Sequence, residues 1–239
     1  MPSVAGSLIE TFPALSAFDA LAAHGFVRRV PGVDTRLSKI EVLELLAPSH
    51  TAAVETLGFS PHRFFTAEQV HGADIAVITD DSPRHTMNVD GLMTNVPGLL
   101  LGIHVADCGP VYLLDPVRRA VALLHSGKKG TELGIAPAAI RRMAEVYGSR
   151  PEDLIVQLGP CIRVPQYAVD FASQILAGCA AAGVPAGQIH DCGTCTALNP
   201  EAYYSYRREL GKTGRLLALL GLRENGQVRT LPSVRSGAA

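Results

Sequence analysis

Three short segments hold residue types that could do chemistry together: Gln69-Val70-His71-Gly72, Ala106-Asp107-Cys108 and His125-Ser126-Gly127-Lys128-Lys129-Gly130-Thr131. Each stands where an apolar run meets a turn. Two neutral imidazoles and one thiolate would give zinc three protein ligands and leave its fourth position for water or substrate, the pattern of catalytic rather than structural sites. Each residue also has a plainer reading, His71 as a turn histidine bonded to nearby backbone and Cys108 as a buried core thiol. Cys108 gains from its position. It leaves an apolar strand and precedes Gly109-Pro110, read as a rigid bend, and suits either metal ligation or nucleophilic attack, both of which need the thiolate. Asp107 beside it reads as a proton shuttle or as a cap of the bend. After His125, Gly127 and Gly130 permit close backbone approach, N–H groups at a helix start attract anions, and Lys128 or Lys129 adds positive charge. That turn suits phosphate; its plainer reading is a solvated basic turn whose Thr131 caps the helix.

The elements that must position these residues read as α with β in a mixed sheet. Ile75 to Thr79, Gly98 to Ala106, Val111 to Leu114, Ala120 to Leu124 and Leu154 to Leu158 are short β-branched or leucine-rich runs bounded by turn residues, the mark of buried strands. Asp115-Pro116 is short enough for a hairpin-like connection, so this region need not be parallel throughout. Lys39 to Leu57 has helical apolar spacing broken at Pro48, with Ser49 capping a second helix. Helices are also expected from Thr131 to about Tyr147, over Phe171 to Ala182, and from Asn199-Pro200-Glu201, where Asn caps and Pro takes the first helical position. Arg207 and Arg208 fall on that last helix.

Composition bounds the function. The 239 residues are 47% hydrophobic and 18% charged, which suits a globular core, and no linker or repeat divides residues 1–239, so one domain is expected, frayed at about 1–10 and 234–239. A formal net charge of −1 offers no general attraction to nucleic acid or anionic membrane. The start lacks a secretory pattern and no apolar run is long enough to span a bilayer, so a cytoplasmic protein is expected. Five cysteines without a regular framework read as reduced thiols. Cys192-Gly193-Thr194-Cys195 lacks a second pair and reads as core or turn, and His104, mid-strand, as structural. No motif sets an oligomeric state.

The ordered series of segments resembles the laccase-domain family, also called YfiH-like or multicopper polyphenol oxidase, whose members carry QVHG, ADC and H-A-G-W-R-G-T segments. Asp90-Gly91-Leu92-Met93-Thr94 is similar to its D-A-L-V-T strand, Gly159-Pro160-Cys161-Ile162 to its G-P-C-I turn, with Tyr167 following. Cys195-Thr196, Tyr204-Ser205-Tyr206-Arg207-Arg208 and Thr213-Gly214-Arg215 are similar to its closing C-T, F-S-x-R-R and T-G-R pattern. The resemblance runs from about Gly25 to Leu220. It implies a layered α/β (α+β) fold related to the catalytic domain of cytotoxic necrotizing factor, with zinc held by His71, Cys108 and His125. It also implies phosphorolysis of adenosine, inosine, guanosine or methylthioadenosine, and hydrolytic deamination of adenosine, with small-molecule nucleoside and phosphate as partners.

Two departures stand out. The family's W-R is Lys128-Lys129 here, so an aromatic surface is lost and a guanidinium fork becomes an ammonium point charge. Gly25-Phe26 to Gly32 resembles a G-F-x-x-R-x-G-G stretch, which puts Arg29 in a substrate-binding position, but Pro31 replaces a glycine, and Thr35-Arg36-Leu37-Ser38 stands where the family has S-L-N-L. Three other readings compete with the phosphorylase. One is the copper-dependent polyphenol oxidase of the family's older label, which needs several copper centres and many histidines, whereas only His71 and His125 of eight have convincing contexts. Another is a metal-free hydrolase with Cys108 as nucleophile and His125 as base, like the family's peptidoglycan-editing members. The last is a degenerate metal-binding module.

Overall fold

The computed structural model describes residues 8–224. Twelve strands follow one another as β1 (Ile9–Glu10), β2 (Ala22–Val27), β3 (Phe64–Ala67), β4 (Ile75–Val77), β5 (His85–Thr86) and β6 (Gly91–Thr94). They continue as β7 (Leu100–Val105), β8 (Gly109–Asp115), β9 (Ala120–Ser126), β10 (Ile155–Leu158), β11 (Ile189–Asp191) and β12 (Leu216–Leu222). The helices are α1 (Pro13–Ser16), α2 (Lys39–Thr56), α3 (Lys128–Glu132), α4 (Ile135–Tyr147) and α5 (Phe171–Ala181). The strands form two six-stranded mixed sheets, in the orders β1-β2-β12-β7-β3-β5 and β11-β10-β8-β9-β6-β4.

Side-chain alternation explains why the strands read as unbroken apolar runs. On β9, Val121 and Leu123 meet the opposite sheet while Ala120, Ala122 and Leu124 pack toward α4 and α5; on β12, Leu216, Ala218 and Leu220 face inward while Leu217 and Leu219 face α2. Both faces of both sheets are therefore covered, giving four layers, helix, sheet, sheet, helix, around a core shared by the two sheets. The same alternation puts His125 on the face of Val121 and Leu123, at the end of the layer between the sheets. His104 on β7 falls on the opposite face from Leu101, Ile103 and Val105, against His50 of α2 at 5.4 Å between ring centroids.

The mixed sheet and the antiparallel β8–β9 hairpin at Asp115-Pro116 agree with the sequence reading. Several boundaries do not. The helix expected to break at Pro48 runs through it from Lys39 to Thr56, started by a capping box in which Ser38 and Glu41 bond each other's backbone. The helix expected to open at Thr131 is two helices, split where Gly134 takes φ 74. Gly109 and Pro110 do not bend the chain but begin β8, opposite Ser126 and His125. A proline is tolerated there because it opens the strand. The local signals at Asn199-Pro200 are overridden, since Tyr203 and Tyr204 are drawn into the core and leave only turns, so Arg207 and Arg208 lie on turns rather than on a helix. Residues 1–7 and 225–239, most of the ends expected to fray, lie outside the described residues, while Ile9 and Glu10 pair with Val27 and Phe26. All five cysteines are free thiols. Among the described residues no helix is long and apolar enough to cross a membrane.

His50 is only 5% exposed and its Nε2 has no hydrogen-bond partner. Burial brings its pKa down to about 4, against a weaker upward pull from the backbone of Arg215. The unfolded chain takes up this proton near pH 6.5, the native state only near pH 4, so stability falls as pH is lowered through that window. We expect about 3 kcal/mol of loss from this group. Urea unfolding at pH 7 and pH 4.5 should show a clearly smaller drop for His50→Leu than for the parent; equal drops would remove His50 from the account.

Candidate functional site

The three segments converge because Asp90, a carboxylate with no exposure, gathers two of them. Its Oδ1 accepts from the His71 backbone N–H (2.9 Å) and its Oδ2 from Val70 (3.1 Å) and Gly72 (2.6 Å). Oδ1 also lies 2.7 Å from His125 Nδ1, while the Asp90 carbonyl accepts the His125 backbone N–H, again at 2.7 Å. The turn so held puts His71 in the left-handed region at φ 60, which a non-glycine residue adopts only under such constraint. Gln69 ties the same turn to β7, its side-chain amide both donating to and accepting from the backbone of His104.

Cys108 follows a second left-handed residue, Asp107 at φ 85. That turn is fixed by the Ile162 N–H bonding the Asp107 carbonyl and by both carboxylate oxygens, which accept from the Thr196 hydroxyl and the Arg207 N–H at 2.7 Å each. Gly127 leaves room beside it, since a Cβ there would strike the Cys108 sulfur and push it from this position. The result is a His71, Cys108, His125 cluster whose ligand atoms all lie within 4.8 Å of one another.

Burial pushes the Cys108 thiol up, but the imidazoles of His125 and His71 more than offset it and bring it down to about 6. Burial likewise disfavours charge on His125, yet Asp90 and then Cys108 raise it to about 9. Without a metal the pair is thus a thiolate and an imidazolium at neutral pH. The donor set fits a metal: because Asp90 takes the His125 Nδ1–H, Nε2 is left to face the sulfur, the arrangement by which a carboxylate orients a ligating histidine. Tetrahedral zinc sets its ligand atoms about 3.5 Å apart, within reach of small rotations here. The cluster opens on a cavity of about 660 Å³.

The family model for multi-copper polyphenol oxidoreductase laccase matches residues 44–176 and 166–223. The chain belongs to this laccase family. The YlmD purine nucleoside phosphorylase of Geobacillus stearothermophilus is 33% identical over 208 residues, 71% of this chain and 76% of the relative. A purine nucleoside phosphorylase of Deinococcus radiodurans is 32% identical over 245 residues, 90% and 95% of the two chains. The solved YfiH structure of Bacillus licheniformis superposes with a TM-score of 0.81 at 25% identity, over 92% of this chain and 98% of that one. The structure of the Geobacillus YlmD gives 0.78 at 26% identity, over 92% and 100%.

Within this laccase-family chain the residues singled out from sequence divide. His71, Cys108, His125, Asp107, Gly127 and Lys128 line the cavity. Lys129 does not line it, and the helix that Lys128 and Lys129 begin is only five residues long. Gly130 is buried where a Cβ would press on the Gly72 carbonyl, so it serves packing of the His71 turn rather than an anion cradle. Arg29 is absent from the cavity lining: it pairs with Glu209 and lies 4.3 Å over the Tyr204 ring, tying the segment after β2 to the turns before β12. Asp107, with both oxygens engaged, acts as a clamp, not as a free proton shuttle. Sequence reasoning gave no role to Asp90, although the D-x-L-x-T likeness marked it, nor to Lys39 and Arg215 on the cavity wall.

Proposed function

We propose that this chain is a metal-dependent purine nucleoside phosphorylase acting on adenosine, inosine, guanosine or methylthioadenosine, and that adenosine deamination runs in the same cavity. The reading is carried by the His71, Cys108, His125 donor set on a cavity wall, in a chain whose relatives bear the phosphorylase name. Two imidazoles and a thiolate suit zinc better than any hard cation. Such a metal, when bound, polarises an oxygen and acidifies a water toward neutrality. The chain's own residues do the rest. Asp90 fixes the His125 ring; Tyr167, Phe171 and Tyr206 supply an aromatic surface for the purine, where the family's tryptophan is missing; and the lining cations receive phosphate as it attacks ribose C1′ and the base departs.

Multicopper chemistry needs further centres, and one three-ligand cluster is found among the described residues. The Cys108 thiolate beside His125 favours a metal-free hydrolase as the second reading. Metal analysis and product assays separate them. We expect one zinc per chain, free base from inosine and adenosine only when phosphate is present, and inosine from adenosine without it. Metal-loaded protein that releases no base from any of the four nucleosides overturns the phosphorylase; activity in metal-free protein that is abolished by alkylation of Cys108 establishes the hydrolase.

A further inference from the structure

We propose that Arg215, assisted by Lys39, forms the phosphoryl subsite of the cavity, holding inorganic phosphate or a phosphoryl group carried by the substrate. The ligand class rests on the phosphorylase reading; the placement rests on the geometry alone.

Among the described residues the cavity wall carries four cations, Lys39, Lys128, Arg207 and Arg215, against one carboxylate, Asp107. In a chain of net charge −1 this is a local positive excess, and it calls for an anion. Asp107 offsets one of these charges, but its oxygens accept from the Thr196 hydroxyl and the Arg207 backbone N–H, and among the described residues it forms no ion pair with any of the four side chains. Two of the four cations have other contacts. Lys128 lies 3.9 Å from Glu132, and the Arg207 guanidinium sits 5.1 Å over the Tyr167 ring.

Arg215 differs. Its Nη1 donates to the carbonyls of Thr213 (3.2 Å) and Gly214 (2.9 Å) in its own turn, and among the described residues it pairs with no carboxylate. The turn cannot shift easily, because Gly214 packs so tightly on Tyr204 that a Cβ would come within 2.5 Å of the ring. One terminal nitrogen of the guanidinium is thereby anchored on backbone, and Nε and Nη2 remain as further donors of a side chain that lines the cavity. Burial makes the charge costly and lowers the Arg215 pKa for that reason, while Tyr206, the Cys108 sulfur and Asp107 pull the other way. An unpaired, partly desolvated guanidinium is unfavourable unless an anion arrives, and its planar fork matches two phosphate oxygens. Lys39, the first residue of α2, lines the same cavity and adds a second positive charge to it. The anion site thus moves from the Lys128-Lys129 turn to the Arg215 wall, where it can present phosphate to a substrate beside Cys108.

The test is calorimetric titration of inorganic phosphate into purified protein of known metal content, comparing wild type with Arg215→Met, Arg215→Lys and, as a control at an exposed position of α4 outside the cavity lining, Arg141→Met. We expect at least about 10-fold weaker binding for Arg215→Met, as for loss of charge-assisted hydrogen bonds, an intermediate loss for Arg215→Lys, and no change for Arg141→Met. Should Arg215→Met fail to fold, Arg215→Lys decides: binding equal to wild type overturns the proposal. A parallel titration with inosine 5′-monophosphate distinguishes the sources. Arg215-dependent binding of the nucleotide but not of free phosphate assigns the group to the substrate, and binding of neither overturns the subsite. In turnover with inosine, Arg215→Met should raise KM for phosphate at least about 10-fold and KM for inosine less than about 3-fold. Arg215-dependent phosphate binding without base release would refute the phosphorylase while leaving the subsite standing.

Discussion

Cys108→Ala is expected to fold, to retain less than about a tenth of the parent's metal, and to turn over nucleoside at least about 10³-fold more slowly. Cys108 is the only anionic donor in the cluster, and its thiol is already ionised near neutral pH because His125 and His71 stabilise the thiolate against the cost of burial. Removing it leaves two imidazoles, one of them on an exposed turn, too few to hold a divalent ion at micromolar levels. The fold should tolerate the change, since Cys108 is half-buried at a turn whose shape depends on the Asp107 carboxylate and not on the sulfur. Metal analysis, circular dichroism and the phosphate-dependent release of base check the three parts separately. Metal affinity should also fall in the parent with pH, first below about 9, where His125 takes up the proton it must lose to ligate, and more steeply below about 6, where the thiolate is protonated as well. Undiminished turnover by Cys108→Ala would exclude both the metal reading and the Cys–His hydrolase, because each needs this sulfur.

What the sequence disclosed and what it hid follow from the range of the interactions. The strand around Ala120 to Leu124 was legible because helices and the facing sheet cover both its sides, leaving one apolar run without polar interruption. The three candidate ligands stand out in the sequence because each lies at or near a strand end, where a polar residue in an apolar context has few structural uses, and the structure brings their donor atoms within 4.8 Å of one another. Arg29 and Gly130 were misread because a cation and a glycine look alike whether they face a ligand or another part of the chain; here Glu209 and the Gly72 carbonyl are their neighbours. Asn199-Pro200 carried good helix-start signals, but Tyr203 and Tyr204 send their hydroxyls to Glu10 and Val30, about 170 to 190 residues away in sequence, and such tertiary bonds outweigh a local cap. The role of Asp90 rests on groups 18 to 35 residues distant, so no local spacing could announce it.

Asp90→Asn is the sharper test of how the centre is built, because it keeps the shape and changes only the pattern of donors and acceptors. The carboxylate receives four N–H groups, two on each oxygen, and an amide can accept on one oxygen only. If its NH2 takes the Oδ2 place, the N–H groups of Val70 and Gly72 both lose their acceptor and the turn carrying His71 is released. If it takes the Oδ1 place, it opposes the His71 N–H and donates to His125 Nδ1, which drives the ring proton to Nε2, the nitrogen that faces Cys108. The imidazole is then in the wrong tautomer to ligate. Either arrangement should weaken metal binding about 10- to 100-fold and cost about 2–4 kcal/mol of stability, the buried donors being left unsatisfied. Competition with a zinc chelator and urea unfolding measure the two effects. Acid provides a third readout. Burial raises the Asp90 pKa, but His125 and the backbone N–H groups more than offset this and hold it below the usual value, so its stabilisation is present above the ordinary carboxylate range and lost as pH falls through the lowered one. Asp90→Asn should lack that acid-side component. Metal affinity within about 3-fold of the parent would mean that His125 is held by its strand alone and that Asp90 serves only the His71 turn.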